Sequence, residues 1–191
     1  MKLGNLNEIV VLINTDFLNE QIRNILIFYK GLYPNKNFEK INLAGLLYNL
    51  VPYAIIEEGY KIDILFAYTL SDSKLEHCTP SALTFDISSD GVKMETDKGT
   101  FFIRSFFADE NETCSNHFVN MLQLIYSSPN VSRIIMVADT NDSELNFELE
   151  MMSMENEMMN LQGKYWHYTE IKSQIAYALG LNGNEIDRSD L

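Results

Sequence analysis

The chain has 191 residues, 46% hydrophobic and 12% aromatic, enough to bury a full core in one domain of ordinary size. Fourteen Lys plus Arg against 27 Asp plus Glu give a formal net charge of -13, a field that repels nucleic-acid phosphates and anionic membranes and disfavours either as a partner. Two cysteines, Cys78 and Cys114, are too few for a disulfide framework, and residues 1–8 hold no apolar core of signal-peptide length, so a cytoplasmic protein is expected.

In chain order, residues 9–13, IVVLI, form an apolar run of strand length, as expected where a parallel strand is covered on both faces. A helix follows, with Leu18, Ile22, Ile25, Leu26 and Tyr29 on one face and Gly31 as its stop. A second helix carries Leu43, Leu46, Leu47 and Leu50, with Pro52 to end it. Residues 62–68, IDILFAY, repeat the buried-strand pattern. From 83 to 107 the period changes to two, and TDKGT at 96–100 supplies a turn between 92–96 and 100–106, which reads as a β-hairpin insertion at a sheet edge.

Helical spacing returns with Cys114, Phe118, Met121, Leu122 and Ile125 before Pro129. A third buried-strand run, IIMVA at 134–138, precedes a long helix from about 142. The last helix is expected from near Thr169 to Gly180, with Ile171, Ile175, Ala178 and Leu179 on its apolar face. A single α/β domain therefore spans 1–180, followed by a polar tail, 181–191, that should fray. The alternation points to a doubly wound, mostly parallel Rossmann-like sheet.

In such sheets ligands collect beyond the carboxyl ends of the strands. Asn14 and Asp16 follow the first strand, and Asp139 and Asp142 follow the strand at 134–138. If the two strands are parallel neighbours, these side chains share one rim, and Asp16, Asp139 and Asp142 become candidate catalytic and metal-ligating residues. Carboxylates gathered there suit Mg²⁺ or Mn²⁺, which take hard oxygen ligands and activate water on a phosphodiester. The bland alternative is that Asp16 and Asp142 cap helices.

VVLINTDFL at 10–18 resembles the opening strand of PIN/NYN-type nucleases, and RIIMVADTND at 133–142 is similar to their later strand ending in an acidic cluster. The chain also resembles small bacterial proteins of unknown function with this layout. The likeness covers roughly residues 8–145 and implies a PIN/NYN-like α/β fold with a metal-dependent nuclease site. The sequence departs from it in substance. Asn14 stands where the first acid belongs, with Asp16 displaced by two residues; TCSN at 113–116 replaces the acid that should open a helix, with Asp109, Glu110 and Glu112 upstream as loose substitutes; and in the last cluster Asp139 matches while Asn141 stands at the second acid's place unless Asp142 serves. A metal loses most of its binding energy when carboxylates become amides.

His77, Cys78, Cys114 and His117 form a weak zinc set, because adjacent side chains point apart on a strand. A nucleophilic Cys114–His117 pair lacks an orienting third group. His167, in YWHY at 165–168, reads as part of an aromatic cluster or surface patch. Neither a G-x-G-x-x-G turn nor a P-loop is present.

ELNFELEMMSMENEMMNLQ, 144–162, carries two apolar stripes when projected at about 100° per residue. Leu145, Leu149, Met152 and Met159 form one. Phe147, Met151, Met154, Met158 and Leu161 form the other, with glutamates along both flanks. One stripe suffices to dock a helix on a sheet. The second needs cover from the last helix, a break near Ser153 that rotates the halves into register, or another subunit or protein. A non-catalytic module without cofactor, binding another protein or a second copy of itself through the Met-rich helix, is the preferred function, and a Mg²⁺- or Mn²⁺-dependent phosphodiesterase or ribonuclease is the alternative.

Overall fold

The structure is a computed structural model. It describes all residues except 1–2, 52–58, 70–72, 84–86, 88–89, 160–164, 169–170 and 188–191, with backbone only for 153–159, 165–168 and 187. In chain order the elements are β1 (Ile9–Asn14), α1 (Thr15–Leu32), β2 (Ile41–Asn42), α2 (Leu43–Leu50), β3 (Lys61–Tyr68), β4 (Cys78–Thr79), β5 (Val92–Thr96), β6 (Gly99–Phe107), α3 (Cys114–Tyr126), β7 (Arg133–Val137), α4 (Ser143–Met159), β8 (Tyr165–Tyr168), α5 (Lys172–Ala178) and α6 (Gly183–Asp187).

The main sheet runs β5-β6-β3-β1-β7-β8. Every pairing in it is parallel except β5 with β6. β1 sits between β3 and β7, with Ile9 opposite Ile62 on one side and Arg133 on the other. The adjacency needed for a shared rim therefore holds. From β1 the chain builds outward through β3 to β6, then returns past β1 to β7, so the strand order reverses between β1 and β7. β2 and β4 form a separate two-stranded parallel pair.

Alternation along the strands creates two cores. Ile9, Val11 and Ile13 face one side, where they join Ile22 and Leu26 of α1, Leu46 of α2 and Ile175 of α5. Val10 and Leu12 face the other, with Phe118 and Leu122 of α3 and Leu145 and Leu149 of α4. Because helices cover both sides, a central strand needs apolar residues at every position, which explains the unbroken runs.

On the second side, Leu3 and Leu6 join α3 and α4 in the cover. Asp63, only 1% exposed, accepts from Arg104 Nη2 at 2.6 Å and from the backbone and side-chain nitrogens of Asn7 at 2.7 and 2.9 Å. Arg104 Nη1 also donates to the Leu3 carbonyl at 2.7 Å. A buried charge is tolerable only with such pairing.

Four expectations need correction. The hairpin expected from 92–96 and 100–106 does form, as β5 and β6 at one edge of the sheet, but it is not an insertion: β6 is a full member of the parallel sheet, paired along its length with β3, and only β5 is antiparallel. The hairpin turn is locked at Gly99, whose φ of +122° and close approach to the Tyr60 carbonyl leave no room for a Cβ. Lys98 beside it donates to the Tyr48 and Val51 carbonyls at the end of α2, both at 2.7 Å, which satisfies acceptors a helix C-terminus otherwise leaves open. α1 does not stop at Gly31 but runs through it to Leu32. The last helix begins at Lys172 after Ile171, and Thr169 lies outside the described residues. The segment after Gly180 does not simply fray: α6 forms there, Leu181 and Ile186 are buried, and Glu185 pairs with Lys36 at 2.9 Å.

Candidate functional site

The carboxyl ends of β1 and β7 border a crevice of about 170 Å³ where the strand order reverses. Asp16 and Glu20 of α1, Ser115 of α3, and Asp139 and Asp142 after β7 all line it. The three acids singled out in the sequence are thus brought to one place. The crevice is smaller than the roughly 300–1,000 Å³ of small-molecule sites.

Local hydrogen bonding has already assigned work to most of the polar groups there. Asn14 caps α1, its Oδ1 accepting from the Phe17 amide at 3.1 Å, so the cap expected of Asp16 falls to Asn14. Asp16, partly buried in the first turn, sits where the helix dipole favours a negative charge. Asp142 does cap: its Oδ1 accepts from the amides of Glu144 and Leu145 at 3.0 and 3.2 Å, opening α4. Asp139 is exposed and closes a local turn, accepting from the Asn141 backbone and side-chain nitrogens at 2.9 and 3.2 Å.

Ser115 lines the crevice in the stretch where the nuclease likeness wants an acid. Glu112 turns elsewhere, to the side chains of Asn120 and His117. Among the described residues no three His, Cys, Asp or Glu side chains come close enough together to hold a metal ion. The donor set therefore does not fit Mg²⁺ or Mn²⁺, which require several oxygen ligands at once.

The cysteines are thiols rather than thiolates. Cys114 Sγ lies 3.3 Å from Asn14 Oδ1 and 3.2 Å from the Ala67 carbonyl, and burial pushes its pKa up to about 12. Burial does the same for Cys78, also to about 12. A thiol so protonated is no nucleophile. His117 does not activate it, for its Nδ1 meets Glu112 Oε2 at 2.9 Å and its Nε2 meets the Phe106 carbonyl at 3.1 Å. Because a carbonyl only accepts, Nε2 carries a proton. This Glu112–His117 contact was missed in the sequence, where a five-residue spacing carries no signal. His167 lies on β8 in register with Ile135, and its side chain is outside the described residues.

α4 presents a second candidate surface. Leu145, Leu149 and Met152 are 2%, 7% and 5% exposed and belong to the core shared with α3. Gln123 donates to Glu148 Oε2 at 2.9 Å, and the Tyr126 hydroxyl donates to the Met152 carbonyl at 3.1 Å, fixing α4 against α3. On the opposite stripe Phe147 is 58% exposed and Met151 41%. The helix is continuous through Ser153. The buried residues of α5 lie in the core across the sheet, so α5 does not cover this stripe. The side chains of Met154 and Met158, and Leu161 entirely, lie outside the described residues.

Among the described residues no helix is long and apolar enough to cross a membrane. The chain belongs to a family of unknown function (DUF6621), whose model matches residues 4–186. No curated protein and no solved structure matches it.

Proposed function

We propose that the chain is a non-catalytic α/β module that binds another protein through the outer stripe of α4. One observation carries this: Phe147 and Met151 stay about half exposed on a helix whose other stripe is buried, with neither a helix break nor α5 available to cover them. Scattered exposed apolar residues are ordinary, but a Phe and a Met one turn apart form a contiguous anchor. Covering the two contributes about 1 kcal/mol each, since only half of each side chain is still to be buried. Met154, Met158 and Leu161 extend the stripe in sequence, and thioether side chains adapt to a partner's surface. The test is photo-crosslinking from position 147 in an extract of the producing cells. A discrete protein adduct that disappears when Met151→Glu is added is expected, and the absence of any adduct beyond that of a control exposed position on α1 overturns the reading.

A second reading is favoured by the shared crevice and by strand order: a Rossmann-like, PIN/NYN-like scaffold with a Mg²⁺- or Mn²⁺-dependent phosphodiesterase site at Asp16, Asp139 and Asp142. Against it, Asp142 is engaged as the α4 cap, and the acids do not gather tightly enough for one ion. Titration with Mn²⁺ followed by calorimetry is expected to show no saturable site. A saturating site abolished by Asp139→Asn would make the second reading the better one.

A further inference from the structure

We infer that the partner of α4 is a basic amphipathic segment of a different protein and not a second copy of this chain; the inference rests on the docking role proposed for α4. At 100° per residue, Phe147 and Met151 lie between Glu144 and Glu148 on one flank and Glu150 on the other. Glu144 and Glu150 are exposed, and Glu148 is half-buried with one oxygen held by Gln123. Among the described residues no cation pairs with any of the three. Between Arg133 and Lys164 the sequence contains no Lys, Arg or His at all.

This distribution discriminates between occupants. A two-fold pairing of α4 with itself is self-complementary in shape but places the same glutamate-flanked stripe on both sides, so carboxylates approach carboxylates. Like charges juxtaposed across an interface suppress that partner, and the overall charge of -13 adds long-range repulsion between copies. A segment with an apolar stripe flanked by Lys or Arg reverses both effects. Its long side chains lay their methylenes along Phe147 and Met151 while their charges reach the glutamates.

The test is fluorescence anisotropy of the full chain with a designed helical peptide carrying a Leu stripe flanked by Lys, its twin with Glu in place of Lys, and the Phe147→Glu/Met151→Glu variant, with light scattering for self-association. The Lys peptide should bind, weaken at least tenfold in the variant, and weaken roughly tenfold between 0.05 and 0.5 M NaCl, while the Glu twin stays unbound and the chain stays monomeric. Equal binding of both peptides, lost in the variant, overturns the inference but leaves the docking role of α4 standing. Lys-peptide binding that the variant does not change reflects attraction to an acidic protein at large and overturns it too. A dimer that dissolves in the variant makes the second copy the occupant. A monomer that binds neither peptide overturns the inference, while the crosslink from position 147 separately decides the docking role.

Discussion

Asn14 performs three local tasks: it ends β1, caps α1 through Oδ1, and faces the Cys114 thiol with the same atom. A residue so engaged is explained by the fold without any ligand. Glu112 is engaged in the same sense, and its environment predicts a pH effect. Burial alone would raise its pKa, but hydrogen bonds from Asn120, the Asp109 amide and the His117 ring prevail and hold it below the ordinary glutamate range. A carboxylate with a depressed folded pKa contributes stability that is complete above its unfolded pKa and is lost as pH falls through the folded value. Glu112→Gln should therefore cost on the order of 1 kcal/mol at pH 7, and the gap to wild type should close between about pH 5 and pH 3. Urea unfolding of both proteins across that range checks this. A gap that widens on acidification contradicts the arrangement.

α4 shows how far an element can be read before it is seen. Its two stripes were legible because apolar spacing reports which faces need partners, and the burial of Leu145, Leu149 and Met152 against the exposure of Phe147 and Met151 follows that division. β1, β3 and β7 were legible for a related reason, since strands covered on both faces cannot alternate. β8, with four residues, and β2 and β4, with two each, exist through their pairing partners and leave almost no local pattern. β6 alternates like a hairpin strand, and nothing in its sequence says that its other edge pairs with β3. α6 hides because polar neighbours dilute Leu181 and Ile186. At the crevice, a rim shared by Asp16, Asp139 and Asp142 followed from the sequence on the condition that β1 and β7 are parallel neighbours, which they are, and the cap expected of Asp142 forms, whereas the α1 cap falls to Asn14 and the turn closed by Asp139 left no signal, because an aspartate after a strand looks the same as a cap or as a ligand. Asp142→Ala removes the two amide contacts that open α4 and should cost about 1 kcal/mol in urea unfolding. Asp139→Ala, at an exposed turn, should stay within about 0.5 kcal/mol. Equal losses at the two positions would mean that the crevice acids act as a unit and not as separate caps.

The whole molecule is built on strands that belong to two cores at once, and this determines how it should unfold. β1 sends Val11 to the core with α1 and Leu12 to the core with α3, so neither core can open without disturbing the strand that serves the other. Ile22 of α1 and Leu122 of α3 are both fully buried, one in each core. Truncation of either to Ala should cost about 2–5 kcal/mol, a large share of the 5–15 kcal/mol typical of a folded domain. Because the sheet couples the layers, both substitutions should lower the midpoint of the same single transition, with near- and far-UV circular dichroism coinciding and the urea slope unchanged. Two cores that were merely adjacent would behave otherwise: Ile22→Ala would split off an early transition in the α1, α2 and α5 layer while the α3 and α4 layer melted at its original midpoint. That outcome would also detach α4 energetically from the face with α1. A partner docked on α4 would then stabilise only its own layer, whereas in a coupled molecule binding there raises the stability of the entire fold.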